Sequence, residues 1–287
     1  MADQLIVSAE AVWFAYSGTD WAVRDAHLSI RAGEYVAIIG PNGAGKTTLA
    51  KQLNGLLLPS RGRVLVQGQD TRSLGPHDLA KAVGYVFQNP DHQLFAATTQ
   101  DEIAFGPSNL GLCSADVDAR VADTLSRFDL GHLADTPPAM LSFPLRRQVA
   151  LASVYAMRPR ALILDEPTGG LDRDSTEEVL RAIGELRSDG HCIILITHDM
   201  QLVAKQADRV ILMKGGSVAA DVTPRDAFAG AERLRSARVE PPQIARLAHR
   251  LSSACLRSHP LSVEEFVDEY ARVLSARAPR GEEAAAC

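Results

Sequence analysis

The amino-acid sequence predicts an α/β fold, and three observations support this prediction. Short runs made almost entirely of apolar residues, such as Ala161–Leu164 and Cys192–Ile196, are typical of strands buried inside a sheet. Stretches with the spacing of amphipathic helices separate these runs. A glycine-rich segment, Gly40–Thr48, lies between one such strand and the start of a helix. We expect this core to carry an antiparallel β subdomain, a helical insertion and a C-terminal helical extension.

Composition and charge narrow the class of protein. The chain has 287 residues, of which 46% are hydrophobic and 23% charged, as in globular proteins with an ample core. A net charge of −5 gives no indication of nucleic-acid binding, and the basic pair Arg146-Arg147 is expected on a solvated helix face. The four scattered cysteines favour a reducing compartment. We predict no signal peptide and no membrane-spanning segment, so that action at a membrane would require a partner.

The segment Gly40-Pro41-Asn42-Gly43-Ala44-Gly45-Lys46-Thr47-Thr48 matches the phosphate-binding P-loop pattern G-x-x-x-x-G-K-[ST]. Residues 34–39 before it are predicted as a strand and residues 46–53 after it as a helix, which is the context that the motif requires. Glycines let backbone N–H groups surround a phosphate, and the helix N-terminus adds partial positive charge. Lys46 adds a full charge, and the Thr47 hydroxyl is a candidate ligand of Mg²⁺. The segment therefore predicts nucleotide binding.

The first thirty residues predict a small antiparallel sheet. Residues 5–7, 11–16 and 21–30 are rich in β-forming side chains, and residues 17–20 are typical of a turn. Tyr16 lies in this region, and its ring is a candidate to stack on a nucleotide base. Packing within the sheet is the alternative role for such an aromatic side chain.

A different pattern follows the P-loop helix. We predict strands at 63–66 and 84–87 with a short helix at 77–81 between them. Residues 99–110, 114–128 and 145–157 then show helical spacing with breaks at glycine and proline, which predicts the helical insertion. Farther on, the sequence predicts a helix at 174–187, a helix at 200–207, a hairpin at 209–219 and two amphipathic helices at 243–251 and 263–274. We expect disorder from residue 278 onward.

Polar side chains follow three of the apolar strands. Asp165 and Glu166 end the strand that begins at Ala161, His198 ends the strand that begins at Cys192, and Gln88 follows residues 84–87. In an open α/β sheet, ligands bind at the carboxyl ends of parallel strands. If these strands are parallel, their terminal side chains meet beside the P-loop.

Each of these side chains has a chemical role in phosphate transfer to water. Asp165 is a candidate to hold Mg²⁺ together with Thr47, and Glu166 to take a proton from the attacking water. Gln88 is a candidate to position that water or to contact the metal, and His198 to stabilise charge on the terminal phosphate. Taken singly, such residues also cap helices, satisfy local hydrogen bonds or form turns. Their joint occurrence in this order favours the catalytic interpretation.

The order and spacing of these motifs closely resemble the ATPase subunits of ABC transporters over residues 5–222. The resemblance implies residues 1–228 as the ATP-binding domain, with a helical subdomain at about 89–160, and residues 229–287 as a C-terminal helical extension. It also implies a head-to-tail dimer, with ATP and Mg²⁺ between one subunit's P-loop and the other subunit's signature motif. The matching positions are Gly40–Thr48 for Walker A, Gln88 for the Q-loop, Leu164–Thr168 for Walker B, Gly170–Asp172 for the D-loop, Thr197–Asp199 for the switch and Tyr16 for the adenine-stacking aromatic.

Within that family the sequence is most similar to the ATPases of energy-coupling factor (ECF) importers, including cobalt and nickel systems. The similarity lies in residues 86–94, 101–106, 241–247 and 261–266. It implies a second ABC ATPase subunit, a transmembrane coupling subunit and a substrate-binding membrane subunit as partners, at the cytoplasmic face of the membrane. Such importers take up vitamins or transition-metal ions, and the family's C-terminal helices help to hold the ATPase dimer together.

The family's signature motif, Leu-Ser-Gly-Gly-Gln, is altered to Leu141-Ser142-Phe143-Pro144-Leu145. Both glycines are lost, and Pro144 has no N–H to offer a phosphate. Ser142 remains as a phosphate contact or a helix cap, and Asp172 of the D-loop remains as a contact to the partner's site. Because the P-loop and the strand-end residues are intact, we hypothesise a heterodimer with one competent and one impaired site.

Two alternatives to an importer ATPase remain at this stage. One is an ABC ATPase without a transport role, although neither two fused ATPase domains nor a long coiled-coil insertion is present. The other is a regulatory subunit that binds ATP with little hydrolysis, and the altered signature favours it. A generic P-loop kinase would leave Gln88, Glu166 and His198 without a role.

Overall fold

The computed structural model describes residues 4–229, 234, 237, 239–251 and 259–277, and ten strands and ten α-helices lie within these ranges. The strands are β1 (Leu5–Ala15), β2 (Trp21–Arg31), β3 (Tyr35–Ile39), β4 (Arg61–Val66), β5 (Gln69–Asp70), β6 (Val83–Val86), β7 (Ala161–Asp165), β8 (Cys192–Ile196), β9 (Arg209–Lys214) and β10 (Ser217–Val222). The helices are α1 (Lys46–Leu53), α2 (Pro76–Ala82), α3 (Thr99–Asn109), α4 (Ser114–Arg127), α5 (Phe143–Tyr155), α6 (Arg173–Ser188), α7 (Met200–Gln206), α8 (Pro224–Ala229), α9 (Gln243–Leu251) and α10 (Val263–Arg277).

The smaller sheet is antiparallel and has the strand order β2-β1-β4-β5. The sequence suggested separate β-forming stretches at 5–7 and 11–16, but residues 5–15 form the single strand β1, which ends one residue before Tyr16. The pairing of β1 with β2 shifts register between Ala9 and Val12, and Ala11 at this irregularity has a positive φ of 49°. The predicted antiparallel subdomain is therefore present, with a bulge in place of a break.

The larger sheet has the order β10-β9-β3-β8-β7-β6, and only the β9–β10 hairpin in it is antiparallel. Its parallel pairs are β3 with β8, β3 with β9, β6 with β7, and β7 with β8. Every residue of β3, β6, β7 and β8 is buried, as their apolar composition predicted. The carboxyl ends of these four strands therefore lie along one edge of the sheet.

The predicted helical insertion corresponds to α3, α4 and α5, which pack on one another. α5 begins at Phe143, two residues earlier than the spacing suggested. Ser142 is its N-cap residue, and Pro144 lies in the first turn, where the missing N–H has no helical partner to lose. Short 3₁₀ turns connect these helices at Pro90–His92, Gly131–Leu133 and Pro138–Met140, and a further one follows β5 at Thr71–Ser73.

The C-terminal helices share buried contacts with the larger sheet. One apolar cluster contains Ala37 and Ile39 of β3 together with Phe228 of α8 and Ala245 of α9. Leu234, between the two helices in sequence, belongs to the same cluster. The expected domain boundary at residue 228 falls within α8. The segment from residue 278, for which we expected disorder, lies outside the described residues.

Candidate active site

The P-loop connects β3 to α1 and forms one wall of a cavity of about 320 Å³. Gly40 has a φ of 148°, and a Cβ atom there would lie 2.3 Å from the Met213 carbonyl oxygen. Gly45 has a φ of 94°, and a Cβ atom there would lie 2.3 Å from the Ala22 carbonyl oxygen. Both positions therefore require glycine, because the backbone of another strand is in contact with the loop. Besides Asn42–Thr48, the cavity is lined by Gln88, Asp165, Glu166, Ile196 and His198.

Lys46 is buried, and its ammonium group is held by the loop itself. Nζ donates to the carbonyl oxygens of Gly40, at 2.9 Å, and Pro41, at 3.1 Å. Burial lowers the pKa of Lys46, whereas the carboxylates of Glu166 and Asp165 oppose that shift. The loop thus carries a preorganised cation beside the two carboxylates, as the motif predicted.

Asp165 lies at the end of β7 and is 3% exposed. Its Oδ2 accepts hydrogen bonds from the Thr47 hydroxyl, at 3.0 Å, and from the Tyr85 hydroxyl, at 2.9 Å. Its Oδ1 is buried without a hydrogen-bond partner. A buried carboxylate oxygen without a partner is costly unless a cation or donor meets it, so this group fits Mg²⁺.

The pair of Thr47 and Asp165 would supply only part of a magnesium shell. The described residues contain no cluster of three or more His, Cys, Asp or Glu side chains that could hold a metal alone. Protein sites for Mg²⁺ commonly use one or two protein ligands together with substrate phosphates and water. The residues present therefore fit a metal that arrives with a nucleotide.

Glu166 follows β7 directly, and its Oε1 lies 3.3 Å from Nε2 of His198. This approach lacks hydrogen-bond geometry, since Oε1 has no hydrogen-bond partner. Burial raises the pKa of Glu166, and the backbone amide of His198 partly offsets this. Burial and the Lys46 cation lower the pKa of His198, so its imidazole is mainly neutral at pH 7. A carboxylate with a raised pKa beside a neutral imidazole is suited to accepting a proton.

The backbone at Glu166 is held in an unusual conformation. Its φ is 49°, in the left-handed region that residues with a Cβ atom rarely occupy. The Glu166 amide donates to the Ile196 carbonyl oxygen at 2.9 Å, and the Glu166 carbonyl accepts from the Gly169 amide at 3.2 Å. The same carbonyl accepts a 2.7 Å bond from the Arg147 guanidinium. Three hydrogen bonds thus fix the backbone from which the carboxylate extends.

Arg147 corrects one sequence-based expectation. The pair Arg146-Arg147 was expected on a solvated face, but Arg147 is 7% exposed. Besides the Glu166 carbonyl, it donates to the Gly169 carbonyl oxygen at 2.8 Å. Residue type and spacing gave no signal for this contact, because both acceptors are backbone atoms of a distant segment.

Gln88 and Tyr16 both lie near the P-loop. Gln88 follows β6 by two residues and lines the same cavity as the P-loop. Tyr16 is 65% exposed, and its hydroxyl is 3.1 Å from the Thr48 Oγ1. Its ring packs edge-on against Phe14, with 5.0 Å between centroids. An exposed ring in contact with the end of the P-loop fits a base-stacking role, which remains a prediction.

The altered signature segment, residues 141–145, includes the N-cap and the first residues of α5. Ser142 occupies the N-cap position, but its side chain makes no capping hydrogen bond, contrary to one of the two roles expected for it. The Phe143 ring lies 5.0 Å below the Arg147 guanidinium, and 3.6 Å would separate it from a Cβ atom at Gly170. Phe143 is therefore packed between its own helix and the D-loop. Nearby, Asp172 caps α6 by accepting from the Ser175 amide, which lowers the pKa of Asp172.

A second cavity, of about 670 Å³, lies between the larger sheet and the helical insertion. We call it the apolar cavity, and its lining includes Tyr85, Phe87, Phe95, Phe105, Val154 and Met157. Phe95 and Phe105 are 66% and 49% exposed and pack edge to face with each other. Phe87 in this cavity directly precedes Gln88 in the other one, so the two cavities share a wall.

The sequence did not single out Tyr85 as a site residue, because a tyrosine inside an apolar strand is typical of core packing.

In the part of the chain that the structure describes, no helix is both long enough and apolar enough to cross a bilayer.

Comparison with known proteins identifies the family and the fold of this chain. Residues 23–169 match the family model described as "ABC transporter". A putative ABC transporter ATP-binding protein from Caldanaerobacter subterraneus subsp. tengcongensis is 43% identical over 92% of the chain, and the chain spans 45% of that longer protein. An energy-coupling factor transporter ATP-binding protein, EcfA1, from the same organism is 40% identical over 92% of this chain and 98% of its own length.

A solved structure of cbiO1 from Clostridium perfringens, titled as part of the ABC transporter complex cbiONQ, superposes with a TM-score of 0.72. It is 36% identical and covers 87% of this chain and 100% of its own. These matches confirm the predicted ABC-type α/β fold and the predicted similarity to ECF and cobalt-type ATPases. The chain belongs to the ABC transporter family of ATP-binding proteins.

Proposed function

We propose that this chain is the ATP-hydrolysing subunit of an ECF-type importer of vitamins or transition-metal ions, bound peripherally at the cytoplasmic face of the membrane. The observation that carries the proposal is the meeting of the P-loop, Asp165, Glu166 and His198 in one cavity. Relatives named as ECF and cbiO ATP-binding proteins support the importer class. Residues 1–228 then act as the ATP-binding domain and residues 229–287 as its extension.

The site residues take distinct roles in this proposal. Lys46 and His198 stabilise charge on the γ-phosphate, and Glu166 accepts the proton of the attacking water. Thr47 and Asp165 would hold Mg²⁺, and Gln88 would position the attacking water or contact the ion. The ion, when bound, neutralises charge on the phosphate oxygens during transfer. Tyr16 stacks on the adenine at the edge of the cavity.

The apolar cavity supports a membrane subunit as partner. Its rim exposes the rings of Phe95 and Phe105, and water alone is an unfavourable neighbour for such rings. Its wall continues through Phe87 to Gln88 of the nucleotide site. We assign the apolar cavity to a cytoplasmic segment of the transmembrane coupling subunit. A segment bound there would contact Phe87, and Phe87 is the residue directly before Gln88 of the nucleotide site. The substrate-binding membrane subunit would then meet the coupling subunit.

The second ATPase subunit completes the site of this chain. In the family's head-to-tail arrangement, the cavity described above receives the partner's signature motif, and the partner's cavity receives residues 141–145. Pro144 has no N–H, so this segment lacks one donor that a glycine would offer, and the Phe143 ring packed against Arg147 adds bulk where the family has a second glycine. The intact cavity and the altered segment together favour a heterodimer, with one competent and one impaired site. Asp172 contacts the partner's site across the interface.

Helix α10 supports dimer formation through the C-terminal extension. Its exposed apolar residues are Val263, Val267, Tyr270 and Leu274, whose spacing of four, three and four residues is that of a coiled-coil seam. A salt bridge between Arg225 and Glu265, at 3.0 Å, attaches α10 to α8. The seam is therefore presented on an anchored helix, and the extension of the second ATPase subunit is the occupant we assign to it.

A regulatory subunit that binds ATP with little hydrolysis is the second candidate, and the packing of Phe143 favours it. Affinity purification of the tagged chain from native membranes distinguishes the candidates. We expect a different ABC ATPase and membrane proteins to co-purify, with ATPase activity that Glu166→Gln in this chain abolishes. Full activity of that variant complex would favour the regulatory role, and purification without membrane proteins would contradict the importer proposal.

A further inference from the structure

Tyr85 of β6 joins two parts of the molecule through a single side chain. Its hydroxyl donates to Asp165 Oδ2 at 2.9 Å, and its ring packs against Phe87 with 4.9 Å between centroids. The ring also lines the apolar cavity. Tyr85 is 6% exposed, so both contacts hold it in one position.

The hydrogen bonds that Asp165 accepts from Tyr85 and Thr47 differ in whether the donor is also a candidate metal ligand. Both hydroxyls donate to the same oxygen of Asp165, but Thr47 is a candidate metal ligand whose oxygen would turn a lone pair to Mg²⁺. Tyr85 has no such second task.

Two donors on one oxygen leave the other oxygen free. Oδ2 is occupied twice, and Oδ1 is buried without a partner in a residue that lines the nucleotide cavity. A carboxylate oriented in this way offers one unshared oxygen to a cation. Outer-shell donors that orient a metal-binding carboxylate commonly contribute about 10- to 100-fold to metal affinity.

We propose that Tyr85 is a positioning residue for the divalent cation, because it holds Asp165 in the orientation that leaves Oδ1 free. The inference rests on the proposed function, in which Asp165 and Thr47 hold Mg²⁺. It adds a residue outside the motifs by which the site was found. It also places the ring of that residue in the wall where a membrane subunit would dock.

A purely structural tyrosine would fill space without acting on the metal. Tyr85→Phe keeps the ring and removes only the oxygen, so packing against Phe87 is retained. Tyr35→Phe is the matched control, since Tyr35 is 1% exposed, lies in β3 of the same sheet and has a buried hydroxyl without a hydrogen-bond partner.

The test measures Mn²⁺ binding to the full chain in the presence of ADP, by the electron paramagnetic resonance signal of free Mn²⁺. We expect Tyr85→Phe to weaken Mn²⁺ binding about tenfold, with unchanged ADP affinity in EDTA, while Tyr35→Phe behaves as the unmodified chain. Mn²⁺ affinity of Tyr85→Phe within twofold of the unmodified chain would overturn the inference. Asp165→Asn tests the proposed metal site separately from the role of Tyr85. Retained Mn²⁺ affinity in that variant would contradict the metal site itself.

Discussion

The Arg147 guanidinium donates a 2.7 Å hydrogen bond to the carbonyl oxygen of Glu166 and thereby ties the signature helix to the candidate general base of the same chain. A second bond, to the Gly169 carbonyl oxygen, spans the turn that leads to the D-loop. Glu166 needs such support because its φ of 49° costs about 1–2 kcal/mol for a residue with a Cβ atom. The position of the Glu166 carboxylate therefore depends on a side chain 19 residues earlier in the chain.

We expect Arg147→Ala to lower both stability and turnover. Two charge-assisted hydrogen bonds are lost and two partly buried carbonyls lose a donor, which predicts a loss of about 2–4 kcal/mol in the free energy of unfolding. Turnover falls further than ATP binding, because the Glu166 backbone is released while the P-loop is untouched. Urea unfolding and ATPase assays on the same preparations measure the two effects.

Arg173→Ala is the control for the loss of an arginine. Its side chain is 89% exposed and makes an i,i+4 pair with Glu177, so its removal should cost less than about 0.5 kcal/mol. Equal effects of the two substitutions would show that the Arg147 contacts do not hold Glu166.

Glu166→Gln should keep ATP binding and lower turnover by at least about 100-fold, since the amide cannot accept the proton of water. Glu178→Gln, an exposed change on α6, should leave turnover unchanged. Turnover of Glu166→Gln near that of the unmodified chain would contradict the assignment of the base. Radioactive or coupled phosphate-release assays with saturating ATP distinguish these outcomes.

The raised pKa of Glu166 also predicts a pH dependence of stability. The unfolded chain loses this proton at the ordinary pKa and the folded chain at a higher one, so stability falls as pH rises through that interval. Glu166→Gln removes this penalty. Its melting temperature should therefore exceed that of the unmodified, nucleotide-free chain at pH 7 to 8, and the difference should vanish near pH 4, provided both remain folded. An equal difference at all pH values would show that ionisation is not its cause.

Local sequence patterns predicted those parts of the molecule that local chemistry determines. The buried strands β3, β7 and β8 follow from apolar runs, and the cavity residues follow from polar side chains at strand ends. Arg147 and Tyr85 were missed because their partners are a backbone carbonyl and a carboxylate about 19 and 80 residues away. Such contacts depend on how the helical insertion packs against the sheet. A short stretch of sequence carries no information about that packing.

The glycines of the P-loop offer a test of the loop's packing. At Gly45 a Cβ atom would lie 2.3 Å from the Ala22 carbonyl oxygen, whereas at Gly43 nothing lies within 4 Å. Both residues have positive φ, so Gly43→Ala measures the backbone strain alone, of about 1–2 kcal/mol. We expect Gly45→Ala to exceed this cost and to abolish nucleotide binding. Similar melting temperatures of the two variants would show that the β2 contact does not constrain the loop.

The α10 seam predicts how the dimer responds to a charge. Val267→Asp places a carboxylate in the middle of the exposed stripe and should weaken dimerisation with the partner ATPase about tenfold or more. Leu56→Asp is the control, because Leu56 is 51% exposed but lies after α1, outside the stripe. Analytical ultracentrifugation of the purified ATPase pair measures the association. Unchanged association of Val267→Asp would remove α10 from the interface.

Restoring the family's signature tests whether residues 143–145 limit activity. The variant carries Phe143→Gly, Pro144→Gly and Leu145→Gln, so its loop regains a backbone N–H donor at residue 144 and loses the bulk of the Phe143 ring beside the partner's γ-phosphate. Each such donor in a closed site contributes about 10²–10³-fold to turnover in well-studied enzymes, so we expect ATPase activity of the purified chain to rise at least tenfold. ATP-driven dimerisation should rise with it, because the same contacts close the dimer.

Leu145→Gln alone is the matched control for this triple change. It restores the amide side chain while Phe143 stays packed against Arg147 and Pro144 still lacks its N–H, so we expect little gain in activity. The triple variant loses the Phe143 contact and should melt at a lower temperature, which requires assays well below that temperature. If the folded triple variant gains neither turnover nor dimerisation, the altered signature is not limiting, and the argument for a heterodimer loses its physical basis.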